Sequence, residues 1–389
     1  SNAGDPFTPA IPEEPPAVIN AALPQPATPA NRLQQIEQAR QHVLFGLGTG
    51  AVVGVLPEIE RSWRRCLAMG FHPHHRVVFD TVTAPAMNRA LQESRALREA
   101  AAPVIRSMSR AMLHTRYFAL LTNARGMIID VQGPLDRSNP HVAAIARIGV
   151  DLSEAAVGTT AISTTLTDLQ PVWLHRGEHF FQDTCVFSCA GAPIWGPDGQ
   201  CAGMLDLTGV ETREQPALKH LVIQSARAIE NALTLAQPHH LLLRLCWPGR
   251  VPGGHDDGLV CLDTDGMVMG SNRTAREMLG LPPGTGCHAS QFFATGIDTL
   301  FDAARQHRGP FEVPLWSGLQ LSLLAQQASG HSGIRTAQSL SASSVPLKDV
   351  ETALIRKAVE DARGNVMEAA RALGISRATV YRRLGRQRS

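Results

Sequence analysis

The stretch VEDARGNVMEAARALGISRATVYRRLGR (residues 359–386) decides how the end of this 389-residue chain folds. A helix is predicted over 347–362, and Gly364 and Asn365 end it, because glycine interrupts a helix and asparagine caps the next one. A short helix is predicted over 366–373, a tight turn over 374–376 and a third helix over 377–386. Two helices joined by a short glycine-containing turn predict an all-α helix-turn-helix within 347–389.

The charge of this segment favours binding to double-stranded DNA. Residues 347–389 contain ten basic and five acidic residues, whereas the whole chain carries a net charge of only +2. A basic element on a nearly neutral chain is typical of phosphate contact. The first turn of a recognition helix reads base edges, and arginines further along contact phosphates. The predicted DNA-binding residues are Ser376, Arg377, Thr379, Tyr381, Arg382, Arg383 and Arg386.

Hydrophobic periodicity predicts helices and strands before this segment. Helices are predicted over 31–45, 58–69 and 85–114, followed by strands over 117–122, 127–131, 172–175, 185–194 and 201–207. A long helix with an apolar stripe is predicted over 216–236. A turn-rich stretch over 248–258 predicts a boundary. A second, smaller group follows, with strands over 258–263, 267–270, 311–315 and 319–325 and a helix over 271–280.

Several stretches resemble one family of bacterial regulators. The segment 359–386 is similar to the Fis-type helix-turn-helix that ends enhancer-binding regulators, and RSWRRCLAMGFHP (61–73) resembles a segment of the acetoin-catabolism activators. Within that family, DLSEAAVGTTAISTTL (151–166), RGEHF (176–180) and FSCAGAPIWGPDGQCAGMLDLTG (187–209) resemble the GAF sensor domain. GLVCLDTDGMVMGSNRTAREMLGL (258–281) resembles the start of a PAS domain.

Pattern and resemblance together predict a multidomain α+β protein. The expected fold is a GAF-like antiparallel sheet with flanking helices, a PAS-like α+β domain and a C-terminal all-α helix-turn-helix. The expected boundaries are a tag scar and disordered leader over 1–30, a helical segment over 31–84, the GAF-like domain over 85–240, the PAS-like domain over 255–328, a linker over 329–346 and the DNA-binding domain over 347–389.

The chain differs from the family because it lacks the sequence motif that binds a nucleotide. Family members carry an AAA+ ATPase between sensor and helix-turn-helix, but here only Lys219, Lys348 and Lys357 occur and none follows a glycine. The G-x-x-x-x-G-K-[ST] phosphate loop is therefore absent from the sequence. We expect regulation without ATP hydrolysis or sigma-54 remodelling, with RNA polymerase or a related regulator as a partner.

A sensor needs an apolar cavity with a few polar groups. We expect an unknown small-molecule effector, and no cofactor, at a pocket formed by Trp173, His175, Glu178, His179, Phe180, Cys185, Phe187, Cys189 and Asp206. His175, His179, Cys185 and Cys189 also suit a metal or thiol-redox sensor. In that hypothesis strand alternation puts the two cysteines on one face. The alternative is that the cysteines are core residues and the histidines line a loop.

Composition limits the remaining possibilities. Seven cysteines without a C-x-x-C pair fit a reducing cytosol. No apolar run approaches the roughly 18–20 residues that span a bilayer, so we expect a cytoplasmic protein without a membrane partner. His72, His74 and His75 are expected to be exposed to solvent rather than to bind metal. A homodimer is expected, because one recognition helix reads few bases.

Two further hypotheses remain open. The GAF-like and PAS-like domains could serve only dimerisation or partner binding, without sensing. The chain could instead be a signalling enzyme with a DNA anchor, although no catalytic motif supports that hypothesis.

Overall fold

The computed structural model describes residues 29–47, 54–284, 286–328 and 366–367. The compact unit described below ends at Ala328. The predicted linker and helix-turn-helix lie outside the described residues, apart from Val366 and Met367, and so does the predicted leader, apart from Pro29 and Ala30. Within the described part, no helix is long and apolar enough to cross a membrane.

The first part of the unit is an antiparallel sheet with helices before it, within it and after it. Its strands pair in the order β2-β1-β5-β4-β3. In chain order the elements are α1 (Pro29–Phe45), α2 (Pro57–Ala68), α3 (Ala84–Glu93), α4 (Arg95–Ala111), β1 (Tyr117–Asn123), β2 (Ile128–Gln132), α5 (Pro140–Ile145), α6 (Glu154–Val157), α7 (Ala161–Asp168), β3 (Val172–His175), β4 (Phe187–Trp195), β5 (Cys201–Val210) and α8 (Ala217–Leu235).

The second part is a smaller antiparallel sheet with short helices between its strands. Its strands pair in the order β8-β7-β6-β10-β9. The elements are β6 (Leu241–Cys246), β7 (Gly258–Leu262), β8 (Val268–Ser271), α9 (Arg273–Leu279), α10 (Ile297–Arg305), β9 (Phe311–Pro314) and β10 (Gln320–Gln327). The described part is thus mixed α+β with antiparallel sheets, as the sequence predicts.

Both faces of the first sheet are covered. On one face, α4 and α8 pack their apolar stripes against β1, β4 and β5, with Ile105 and Val222 fully buried. On the other face, α2, α5 and α7 enclose a second core that includes Trp63, Phe118 and Ile162. A sheet buried on both faces explains why β4 and β5 are almost wholly buried rather than alternating with polar residues.

The second sheet shares one helix with the first. Its inner face packs against α9 and α10. On its outer face, Leu242, Leu259 and Cys261 form a small cluster with Leu235 at the end of α8. Helix α8 therefore packs on both sheets and is the element that joins them.

The β4–β5 turn makes a second junction between the sheets. The carbonyl of Pro197 accepts hydrogen bonds from Arg276 Nη2 at 3.0 Å and from the backbone of Ser271 at 2.9 Å. Gly199 has a φ of +78°, and a Cβ there would lie 2.6 Å from the Arg276 guanidinium. The positive φ favours glycine at this position, and a Cβ there would also displace the Arg276 guanidinium.

Local capping explains where the short helices begin. Helix α5 begins after Asn139, whose side chain accepts a hydrogen bond from the backbone N–H of His141. Pro140 occupies its first helical position. Thr160 and Ser163 form a reciprocal capping box at the start of α7. Asn272 caps α9 by accepting from the backbone of Ala275.

Three expectations about elements are wrong. The single helix predicted over 85–114 is two helices, because the chain turns at Ser94 between α3 and α4. The boundary predicted at 255 excludes β6, which is the central strand of the second sheet. The strand predicted from 185 begins at Phe187, because residues Gln182–Thr184 form a 3-10 turn with Cys185 as its C-cap.

Candidate functional site

The segment between β3 and β4 carries four of the nine predicted sensor residues: Glu178, His179, Phe180 and Cys185. Residues Arg176–Glu178 form a 3-10 turn directly after β3, and His179 and Phe180 follow it. His179 and Phe180 are buried, and Glu178 is buried beneath helix α1. Both histidines are buried: His175 is the last residue of β3, and His179 lies in the connecting segment that follows it.

A small cavity lies on the face of the first sheet that α7 covers. Its volume is about 10 Å³, room for about one water molecule. Most of its lining is apolar, and the polar atoms come from three threonines, one histidine and one cysteine. The lining residues are Phe79, Ile145, Leu152, Thr160, Ala161, Ile162, His179, Thr184, Phe187, Cys189 and Thr208.

Three of the predicted pocket residues line this cavity: His179, Phe187 and Cys189. Asp206 lies next to it, because Thr208 donates a hydrogen bond from its hydroxyl to Asp206 Oδ2. Phe180 belongs to the surrounding core, with its ring 5.0 Å from the ring of Phe181.

The other four predicted residues lie elsewhere. Trp173 contributes to the core on the opposite face of the sheet. His175 stacks on Trp173 at 6.3 Å and its Nδ1 lies 2.8 Å from Ser188 Oγ. Glu178 pairs with Arg32 of α1. Cys185 lines a separate surface groove under α1 and contacts the Phe181 carbonyl through its sulfur at 3.4 Å. Strand alternation separates Trp173 and His175 from Cys189, since neighbouring residues point to opposite faces, whereas Glu178 and Cys185 lie outside the strands.

Sequence reasoning missed most of the lining. Leu152, Thr160, Ala161 and Ile162 all lie in the stretch 151–166 that carries the GAF resemblance, so that motif contained the signal. Phe79 and Ile145 lie in segments with no pattern that indicates a pocket. They reach the cavity only through the tertiary fold.

Burial shifts the polar groups around the cavity toward their neutral forms. Burial lowers the pKa of His179 to about 4, although the hydrogen bond to Arg176 opposes this change. Burial raises the pKa of Asp206 to about 7, against the hydrogen bond from Thr208. Burial also raises the pKa of the Cys189 thiol well above its usual value.

The histidine and cysteine geometry does not assemble a metal centre. In the part of the chain that the structure describes, no group of three or more His, Cys, Asp or Glu residues is placed to hold a metal ion. Cys185 precedes β4 and Cys189 lies within it, so the expectation that the two share a strand face is wrong. Burial raises the pKa of both thiols, which disfavours the reactive thiolate of a redox sensor.

The histidines at 72, 74 and 75 are exposed, as predicted. The rings of His72 and His74 stack with their centroids 5.1 Å apart. They lie beside Phe45 at the end of α1.

Helix α1 and helix α2 hold the segment that carries His179. Buried Arg40 donates hydrogen bonds to the carbonyls of Gly177, His179 and Phe180. Trp63 donates from Nε1 to the carbonyl of Glu178 at 2.8 Å. The backbone around the cavity wall is thus fixed by two helices that precede the sheet in sequence.

The stretch 61–73 fixes a second wall of the cavity. Ser62 donates to the Glu154 carboxylate, and its Oγ lies 2.8 Å from Thr159 Oγ1, which is also 3.4 Å from Cys66 Sγ. Arg65 makes two hydrogen bonds to the Glu154 carboxylate, at 2.8 and 2.9 Å. These contacts position the start of α7, which supplies Thr160, Ala161 and Ile162 to the lining.

Comparison with known proteins defines the class. Residues 346–386 match the model described as bacterial regulatory protein, Fis family. Residues 34–231, about half of the chain, match the model described as MimR, N-terminal domain. The chain therefore combines the N-terminal domain of one group of regulators with a Fis-family helix-turn-helix. It belongs to the MimR N-terminal domain family.

Curated relatives support the resemblance predicted from the sequence. The acetoin catabolism regulatory protein of Cupriavidus necator is 26% identical over 259 residues, covering 65% of this chain and 39% of the relative. The propane 2-monooxygenase operon transcriptional activator MimR of Mycolicibacterium smegmatis is 29% identical over 192 residues, covering 48% of this chain and 32% of the relative. The predicted resemblance to acetoin-catabolism activators is confirmed. The chain spans about two fifths or less of the length of these relatives.

Among solved structures, the E. coli DhaR(N)-DhaL complex overlaps with a TM-score of 0.44 at 16% identity, covering 70% of this chain and all of that one. This similarity is too low to assign the fold or the partner of that complex to the present chain.

Proposed function

We propose that the protein is a one-component transcription regulator that senses a small molecule in the cavity beneath α7 and binds DNA through residues 347–389. The observation that carries this proposal is the small, mostly apolar cavity lined by His179, whose buried Nε2 has no hydrogen-bond partner among the described residues, in a chain that also matches the Fis family. Apolar cavities with a few convergent polar groups are the usual form of small-molecule sites.

The two sheets serve as GAF-type and PAS-type domains in this proposal. Helices flank the first sheet on both faces, and α8 leads from it to the second. Helix α8 is in contact with the cavity-bearing sheet and with β7, so it is suited to transmit a change at the cavity.

Sequence-specific DNA contact comes from the recognition helix. Ser376, Arg377, Thr379 and Tyr381 approach the base edges, and Arg382, Arg383 and Arg386 contact phosphates. A homodimer doubles the length of the DNA site. Such a protein works in the cytoplasm and has no catalytic activity of its own, in line with relatives that are named as transcriptional regulators.

Regulation proceeds without ATP hydrolysis. The sequence has no phosphate loop, so the protein recruits or blocks RNA polymerase, or competes with a related full-length regulator.

A second candidate function is that both sheets serve only dimerisation or partner binding. The small volume of the cavity, about 10 Å³, favours this alternative. Titration with metabolites separates the two, because a ligand that binds the native state raises its stability by mass action.

The decisive experiment is selection of bound fragments from genomic DNA by the full chain and by a chain that ends at residue 346. We expect discrete inverted-repeat sites for the full chain and none for the shortened chain. No enrichment by either protein would contradict DNA binding. Enrichment that no metabolite alters would favour the second candidate function.

A further inference from the structure

His179, which lines the cavity, has a ring whose tautomer is fixed by its neighbours. His179 Nδ1 lies 2.9 Å from the carbonyl oxygen of Arg176. A carbonyl oxygen only accepts, and burial keeps this imidazole neutral by lowering its pKa to about 4, so Nδ1 carries the proton. Nε2 is then a bare acceptor. It is buried and has no hydrogen-bond partner among the described residues.

The other polar side chains of the cavity already donate their protons elsewhere. Thr184 donates to the Phe181 carbonyl at 2.8 Å, Thr160 donates to Ser163 Oγ at 3.2 Å, and Thr208 donates to Asp206. Where Asp206 is ionised, above about pH 7, the hydroxyl proton of Thr208 is committed to its carboxylate, so the Cys189 thiol, 3.6 Å away, donates to the Thr208 oxygen. Among the described lining side chains, the cavity therefore offers acceptors and no free donor.

We propose that this cavity selects small neutral molecules that carry a hydroxyl group, with that hydroxyl donating to His179 Nε2. The inference rests on the proposed sensing function and names its ligand class. A ketone of the same size has an acceptor oxygen and no donor, so its lone pairs and the lone pair of Nε2 would repel each other. A carboxylate would be repelled by the acceptor atoms of the lining. No cationic side chain among the described lining residues would offset the free-energy cost of removing its charge from water. The remaining wall is apolar and takes an aliphatic body.

Entry of such a molecule requires a wall to move, because the closed cavity holds only about one water molecule. Phe79 is the side chain best placed to move. It is half-buried in a segment without regular secondary structure, and its ring meets the Phe187 ring edge-on at 6.1 Å. An alcohol with several carbons would occupy the space that the Phe79 ring closes off.

The test uses the full chain and a matched set of probes: sec-butanol, butanone and sec-butyl methyl ether. Binding is followed by protein NMR with isotope-labelled histidine, which reports the tautomer of His179 and hydrogen bonding at its Nε2. We expect the Nδ1–H tautomer without ligand, a shift of the Nε2 resonance with sec-butanol, and affinities for butanone and the ether that are about tenfold weaker.

A His179→Phe variant removes the acceptor while keeping a planar ring. It should bind the alcohol and the ether with similar affinity. His220→Phe, on the exposed face of α8, is the matched control and should keep the preference for the alcohol.

Three outcomes would overturn the inference: an Nε2–H tautomer, butanone binding as tightly as sec-butanol, or no response of His179 to the alcohol. The first two leave the proposed sensing function standing, since ligands of another class could still bind the cavity. The tautomer and the comparison of probes are measured on the unaltered chain, so the test does not depend on folding of the variant.

Discussion

Arg40 in helix α1 donates a hydrogen bond to the backbone carbonyl of His179, although 139 positions of sequence separate the two residues. The same guanidinium reaches the carbonyls of Gly177 and Phe180, and it lies over the ring of Trp63 at 5.8 Å. Helix α1 therefore holds the backbone that presents the His179 imidazole to the cavity. Displacement of this backbone would move α1, and an altered α1 would change the cavity.

Replacement of Arg40 by alanine tests this coupling. Arg40 is 6% exposed, so Arg40→Ala leaves carbonyls without donors in a buried place. We expect the free energy of unfolding to fall by about 3 kcal/mol, measured by chemical denaturation. Gln41→Ala, which removes only an exposed contact with Glu37, should cost less than about 0.5 kcal/mol. Equal losses in the two variants would contradict a specific role for Arg40.

The buried carboxyl of Asp206 should make the free energy of unfolding depend on pH. Burial raises its pKa from 3.8 to about 7, so the folded protein holds this proton more tightly than the unfolded chain does. Protonated Asp206 favours the folded state at low pH, and that contribution is lost as the pH rises from about 4 to about 7. Asp206→Asn removes the charge and keeps an oxygen that accepts from Thr208. We expect the variant to match the wild type near pH 4 and to exceed it by a few kcal/mol near pH 8.

The measurement is urea denaturation of both proteins across this pH range. Glu178 and Glu230 also have pKa values raised to about 7, but both proteins contain them, so the difference isolates Asp206. Asp265→Asn, on an exposed turn, is the control and should give a flat difference. A flat difference for Asp206→Asn would mean that its carboxyl is not held protonated in the folded state.

The junction between the sheets depends on Arg276. Its guanidinium donates to the carbonyls of Pro197, Pro282 and Gly284, at 3.0, 2.6 and 3.1 Å. Arg276→Ala should release the β4–β5 turn from α9 and weaken the cooperativity between the sheets. In calorimetry we expect the single transition to broaden or split, with a loss of about 2 kcal/mol. Arg305→Ala, whose partner is the exposed Asp302, should leave the transition unchanged.

Short apolar runs bounded by turn residues, and the apolar stripe of α8, made much of the fold predictable. The strands β1, β3 and β5 and the helix α8 lie within three residues of their predicted bounds. Strand β6 was missed because LLLRLC runs into a turn-rich stretch that indicates a domain boundary. The break at Ser94 has neither glycine nor proline, whereas Pro103 lies inside α4 without ending it. Tertiary packing, rather than local sequence, determines both the break at Ser94 and the continuation of α4 through Pro103.

The candidate site was predictable only in part, for a similar reason. His179, Phe187 and Cys189 were recognisable because polar or aromatic residues stand out near β4. Glu178 and Cys185 looked as suitable as these three in the sequence, but Glu178 ends one 3-10 turn and Cys185 follows another, and both side chains lie beneath α1. Which hydroxyl or thiol still has a free proton depends on partners such as Ser163 and Asp206, and no spacing rule identifies those partners.

The paired arginines Arg382 and Arg383 give a prediction about DNA affinity that the sequence alone carries. Both lie beyond the first turn of the predicted recognition helix, where contacts reach phosphates rather than base edges. Each phosphate contact releases condensed counterions, so affinity falls with salt in proportion to the number of contacts. Replacing both with alanine should weaken binding to every DNA sequence and reduce the slope of log affinity against log salt by about 2.

Fluorescence anisotropy on a selected site and on a scrambled site, each over a range of salt concentrations, measures both quantities. Arg377→Ala is the informative contrast, because a residue in the first turn reads bases. It should lower the affinity for the selected site far more than for the scrambled one, with little change in the salt slope. If the double variant instead keeps its salt slope but no longer distinguishes the selected site from the scrambled site, Arg382 and Arg383 read bases. The recognition helix would then be rotated relative to the orientation inferred here.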